Sequence, residues 1–193
     1  MNLVNRDMSY FEKYQKVNPA KYLSKGVKKS RFRKAKKQIR NRVLYAILLS
    51  KDIKLSELAN KVGVSPRAVI AWVMDGIVPN EHNMGKVCAV LNYPHHILFN
   101  EEIVNRSPII CVQNQSKYYK RVVALSAAKN KILHGLMIVY DISLNDLAKE
   151  LNLTHSTIRK YIHNKFLPDI QIQKNISDFF KIPANVMFYD ATN

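Results

Sequence analysis

Cysteine is nearly absent from this chain of 193 residues: Cys88 and Cys111 are its two thiols, and they form no Cys-x-x-Cys spacing. That argues against a disulfide framework and a cysteine-based zinc cluster, and fits a reducing compartment. Glycine and proline are also scarce, at five and seven residues, which speaks against extensive disorder. Long apolar runs are missing. The longest, Val43–Leu49, is too short to span a bilayer, and the opening stretch MNLVNRDMSYFEKYQ lacks the apolar centre of a signal peptide. The expectation is a cytoplasmic protein with no membrane partner. Catalytic signatures are missing as well, with no GxxxxGK, GxSxG or HExxH, and no His opens the HxxR of a tyrosine recombinase. The six His, including adjacent His95 and His96, have no neighbouring Cys or carboxylate cluster. Neither a catalytic residue, a metal nor a cofactor is expected.

Acid is the charge in short supply. Thirty-one Lys and Arg stand against fourteen Asp and Glu, giving a net charge of +17. The excess is local: residues 1–40 carry +11, residues 41–100 carry +2, 101–129 carry +3 and 130–193 carry +1. Within Lys25–Arg42 ten residues are basic and none is acidic, with Phe32 and Ile39 interleaved. Such a run is either a solvated face or a contact for a polyphosphate. Lys28, Lys29, Arg31, Arg33, Lys34, Lys36 and Lys37 are the candidate phosphate contacts, which would give salt-dependent affinity without sequence information.

What is present is a patterned stretch, Leu55–Met74, LSELANKVGVSPRAVIAWVM. Ala59 allows two helices to approach, and Gly63 supplies a turn residue at ease with positive φ. Ser65 then reads as an N-cap, with Pro66 at the first helical position. Val62, Val64, Val69 and Trp72 lock the second helix across the first, leaving Arg67, Ile70, Ala71 and Met74 on another face. At these residues the sequence resembles the lambda-repressor/Cro-like helix-turn-helix family. The likeness extends over roughly residues 40–100, through Asp75–Pro79, the apolar set Met84, Val87, Val90 and Leu91, then Tyr93-Pro94 and Leu98-Phe99. The resemblance implies a five-helix fold that binds double-stranded DNA. One departure stands out: family members often carry Gln, a phosphate anchor, where this chain has Leu55.

The chain also repeats itself. A shift of 89 residues without a gap lays Asn41-Arg42-Val43-Leu44 on Asn130-Lys131-Ile132-Leu133, Asp52-Ile53 on Asp141-Ile142, and Leu58-Ala59 on Leu147-Ala148. Pro79 then falls on Pro168, Pro94 on Pro183 and Phe99 on Phe188. Each copy is therefore one structural unit. In the second, Asn152 replaces Gly63 and tolerates the same left-handed backbone. Ser143 and Asp146 form the pattern of a capping box, for which the first copy has only Lys54, and Thr154 caps the next helix.

The predicted fold is all-α, two tandem five-helix lambda-repressor-like helix-turn-helix domains with a basic N-terminal arm or helix extension. Its parts are the arm (1–29), the first domain (30–102), a linker (103–117) and the second domain (118–193). Ser30–Lys51 and Tyr119–Tyr140 lack Pro and read as one long first helix each. Ile103–Ser116 reads as a linker or a short extended segment, with Ile109, Ile110 and Val112 apolar enough to be covered.

On the second helix of each motif the 3.6-residue period sets an outward face. The first copy offers Ser65, Pro66, Arg67, Ile70, Ala71 and Met74; the second offers Thr154, His155, Ser156, Arg159, Lys160 and His163. Arg and Lys suit guanine, and hydroxyl and imidazole groups suit other base edges, whereas apolar groups meet only thymine methyls. The second copy is thus the richer reader. The expected function is a sequence-specific, DNA-binding transcriptional regulator of the cytoplasm and nucleoid, neither enzyme nor cofactor carrier. Two alternatives stand beside it: a scaffold in which one motif binds protein, through the Ile70/Met74 face or the apolar linker or as a homodimer, and a non-specific nucleoid or RNA binder resting on the basic arm.

Overall fold

The computed structural model describes residues 37–105, 109–111 and 128–192, and helices make up most of them, as predicted. β1 (Lys37–Ile39) leads into α1 (Arg42–Ser50), α2 (Leu55–Val62) and α3 (Pro66–Ile70), which widens into a π-helical turn at Ala71–Asp75. Then follow α4 (Glu81–Leu91), α5 (His95–Leu98) and α6 (Glu101–Val104). After β2 (Ile109–Cys111) the pattern recurs as α7 (Lys131–Val139), α8 (Leu144–Glu150), α9 (His155–Ile162), α10 (Ile170–Phe180), α11 (Ala184–Met187) and α12 (Tyr189–Thr192). The 89-residue shift lays α1, α4 and α5 end for end on α7, α10 and α11.

Local chemistry explains the repeat. Gly63 ends α2 at φ 79°, and a Cβ there would meet open space, so backbone conformation alone accounts for the glycine. Asn152, its counterpart, sits at φ 53°. Ser65 Oγ accepts from Ala68 N at 3.2 Å and Thr154 Oγ1 from Thr157 N at 3.2 Å, each opening the following helix. Ser143 and Asp146 form a complete capping box, while Lys54 supplies no side-chain cap.

The first helices differ from expectation. Within the described residues neither runs the length of Ser30–Lys51 or Tyr119–Tyr140: α1 begins at Arg42 and α7 at Lys131. Asn41 and Asn130 stop them. Their side-chain oxygens accept from Leu44 N at 2.9 Å and Leu133 N at 2.8 Å, which requires non-helical backbone at the cap. The preceding amides are spent on tertiary bonds: Arg40 N and Asn41 N donate to Val73 O, and Lys129 N and Asn130 N donate to Ile162 O. Lys37–Ile39 is accordingly strand rather than helix extension, paired antiparallel with Ile109–Cys111 in the register Gln38 to Ile110. The stretch expected to link the copies thus contains an extended segment, and its first two residues, Ile103 and Val104, belong to α6 and are buried. Residues 1–36 and 112–127, with the arm and Val112 among them, lie outside the described residues.

The core is centred on α1 and α7. Arg42 through Leu48 are all buried, as are Ile132 through Met137, so these helices have no solvent face. They pack against each other in opposite directions. Arg42 Nη1 donates to Tyr140 Oη at 3.0 Å, Ser50 Oγ and His134 Nδ1 lie 2.8 Å apart, and between them the backbone of Ala46 fits against Gly135. A Cβ on Gly135 would overlap the Ala46 carbonyl and stand 2.7 Å from its Cα. Glycine is what lets the helices touch. Each buried Leu or Ile at this seam contributes about 2 kcal/mol of transfer free energy. Residues Lys36–Asn193 consequently form one compact unit rather than two beads on a linker.

Candidate nucleic-acid interface

The residues that hold α9 in place also determine what it shows to solvent. Ile158, Tyr161 and Ile162 are buried, which turns Thr154, His155, Ser156, Arg159 and Lys160 outward, all exposed, with His163 half-buried at the end of the same stripe. Thr154 Oγ1 also lies 2.9 Å from Thr157 Oγ1, so its hydroxyl serves the cap first. Lys160 Nζ stands 5.5 Å from the centroid of Phe166, whose ring meets Tyr161 edge-on at 5.4 Å. That cation–π contact leans Lys160 toward the loop after α9.

The equivalent face in the first half is more apolar. Val69 and Trp72 are buried, as the period requires, and Ser65, Arg67 and Ile70 are exposed. Ala71 and Met74 are half-buried, less open than the outward set requires. From Ala71 on, the chain follows a π-helical turn rather than the 3.6-residue period, and Gly76 ends it at φ 72°. Val73 O receives the two amides before α1, as its counterpart Ile162 O receives those before α7.

Among the described residues Lys61–Glu57, at 2.8 Å, is the one ion pair. Arg67, Arg159 and Lys160 therefore carry positive charge with no carboxylate in salt-bridge reach. Of the arm residues assigned to phosphate, Lys28, Lys29, Arg31, Arg33, Lys34 and Lys36 lie outside the described residues, and Lys37 falls in β1.

Sequence reasoning passed over the segment that follows each outward helix. Ile77 and Val78 are 54% and 50% exposed, and Phe166 and Leu167, their counterparts at the 89-residue shift, are 45% and 43% exposed. The signal was available, since both pairs are apolar and lie just before the prolines that helped to establish the shift.

A separate cleft of about 530 Å³ is lined by Cys88, Asn92, Tyr93, Lys129, Tyr189 and Asp190 together with Ala89 and Pro94. Tyr93 Oη donates to Asp190 Oδ1 at 2.6 Å, and Asp190 Oδ2 accepts from the amide of Lys131, the first residue of α7, at 2.7 Å. Burial, then the Asp190 charge, pushes the Tyr93 hydroxyl far above the phenol range. Burial likewise raises Asp190, against the pull of these hydrogen bonds. Burial pushes the Cys88 thiol up from its ordinary range. Among the described residues no group of three His, Cys, Asp or Glu is placed to hold a metal, and no helix is long and apolar enough to cross a membrane. No family model, curated protein or solved structure matches the chain.

Proposed function

We propose that this chain is a sequence-specific, double-stranded-DNA-binding transcriptional regulator composed of two lambda-repressor-like helix-turn-helix units, acting in the cytoplasm on the nucleoid. The observation that carries the reading is the stripe on α9: a capped helix, buried on one side, that exposes His155, Ser156, Arg159 and Lys160 without a salt-bridge partner for either cation. Arg and Lys donate to guanine O6 and N7, and Ser and His find partners on other base edges. α3 offers Arg67 and Ser65 and reads less, with Ala71 and Ile70 suited to a thymine methyl. The basic arm adds phosphate contacts that strengthen all sequences alike. Regulation is by occupancy, with two recognition helices in one chain so that the second contact is intramolecular.

Fluorescence anisotropy of the full chain on a selected duplex and on a scrambled one, over a salt series, tests this. The expected result is a preference for the selected duplex that persists as salt rises and disappears in Arg159→Ala/Lys160→Ala. Equal affinity for both duplexes at every salt concentration would rule out specific readout and leave a non-specific nucleic-acid binder relying on Lys25–Arg42. A protein-binding role has one observation in its favour, the apolar exposure of Ile70, Ile77 and Val78 in the first half. On that reading Arg159→Ala/Lys160→Ala leaves partner binding intact while Ile70→Asp abolishes it.

A further inference from the structure

The two halves touch through the same surface of each. α1 and α7 are equivalent helices under the 89-residue shift, and they pack in opposite directions about one point. That point is the contact of Ala46 with Gly135, which are themselves equivalent positions. Exchanging the halves returns this contact to itself. It also maps the Arg42–Tyr140 contact onto Lys51 and Lys131, which are near enough for the Lys131 charge to act on Lys51. A surface that meets its own counterpart in this reciprocal way is isologous, the mark of a two-fold axis. Halves strung along a line by translation would instead join unlike faces.

The exchange is approximate at the periphery. Tyr93 bonds Asp190 on one side, and the corresponding residues on the other are Ile182 and Glu101. The Ser50–His134 pair likewise has no bonded counterpart, since the exchange carries it onto Val139 and Tyr45, whereas the internal bonds of the two halves match. Asn41 Nδ2 donates to Leu98 O at 2.8 Å and Asn130 Nδ2 to Met187 O at 3.2 Å, each tying the start of a first helix to the end of its own half.

We infer that a single chain reads an inverted pair of unlike half-sites, doing alone what a two-fold dimer does with two chains. The inference rests on the DNA-reading function proposed above. A two-fold axis through the contact of Ala46 with Gly135 relates α3 to α9 by half a turn. On one duplex the two helices then meet half-sites that run toward each other, where a translational repeat would meet half-sites running the same way. The half-sites are unlike because the faces are: Arg67, Ile70 and Ala71 on one, His155, Ser156, Arg159 and Lys160 on the other. An inverted pair that is not a palindrome is the target, and it needs no second copy of the chain.

Selection of the full chain against a random duplex pool, followed by anisotropy and sedimentation on the enriched site, tests the inference. The expected outcome is two different half-sites in inverted orientation at one fixed spacing, bound by one chain per duplex. Turning one half-site round in place, at that spacing, should weaken binding about 100-fold or more, because the second contact is no longer intramolecular. A direct pair, a single half-site, or two chains on an inverted pair would overturn the inference while leaving DNA reading intact. Failure to enrich any sequence would overturn the proposed function itself.

Discussion

At the end of its first helix the amino-terminal half closes onto Leu91 O through Lys51 Nζ, at 2.7 Å; at the equivalent place the carboxy-terminal half closes onto Phe180 O through the Tyr140 hydroxyl, at 3.0 Å. The same carbonyl is satisfied in both, so the hydrogen bond is what the skeleton requires and the donor is free to vary. The donors differ in what else they do. Tyr140 also accepts from Arg42 across the seam, whereas Lys51, half-buried over the Tyr93 ring at 5.2 Å, has its ammonium pKa lowered by burial and partly restored by Asp190. The outward faces of α3 and α9 diverge further, the first π-distorted and more apolar, the second regular and richer in polar groups. Outside the π-helical turn the helical skeleton is shared between the halves, while their side-chain chemistry differs.

The contact of Ala46 with Gly135 is where this likeness is easiest to break. Gly135→Val would force α1 and α7 apart, with an expected loss of about 3 kcal/mol in urea denaturation, whereas Ala46→Gly at the equivalent position should lose only about 1 kcal/mol through backbone entropy. Equal losses would show that the helices do not meet there. Next in size, Asn41→Ala and Asn130→Ala each remove a buried cap and leave Leu98 O or Met187 O without its donor, at about 2 kcal/mol apiece. Denaturation midpoints shifted alike by the two would support equivalence of the halves; a large shift from one alone would break it.

Smaller effects sharpen the comparison at the turns. Gly63→Ala should cost about 1 kcal/mol, since φ 79° is strained for any Cβ even in open space, and Asn152→Gly should change the melting temperature little. The least effect is proton-linked. Asp190 has its folded pKa raised above the ordinary 3.8, so the folded state holds the proton more tightly and stability rises as pH falls from neutral toward that value. Asp190→Asn should flatten this part of the rise, and Tyr93→Phe, which deletes a hydrogen bond favouring the carboxylate, should move it to higher pH. Melting curves over a pH series read both; an unchanged slope in Asp190→Asn would contradict the assignment.

Much of this was legible before the structure. The 89-residue shift named equivalent positions, and Gly63, Asn152, Ser65, Thr154 and the Ser143–Asp146 box all behave as their local chemistry predicts. Val69, Trp72, Ile158 and Tyr161 face inward because one apolar stripe leaves no other choice. The start of α1 was not legible: residues before Asn41 favour helix, and tertiary bonds to Val73 O override the propensity. The β1–β2 pair was hidden for a different reason, since three residues make too short an alternation and the partner lies some seventy positions away. Val43–Leu49 is apolar along its whole length and so favours no side. A helix apolar all round tells nothing of which neighbour it meets, so the seam with α7 became visible only in three dimensions.

The proposed division of DNA reading between the halves is tested most directly by titrating an enriched duplex into the ¹⁵N-labelled full chain and following amide resonances. The account predicts the largest shifts at residues 154–163, with smaller ones at residues 65–71, and the loss of the first set in Arg159→Ala/Lys160→Ala. Shifts confined to residues 65–78, with 154–163 unmoved, would contradict it.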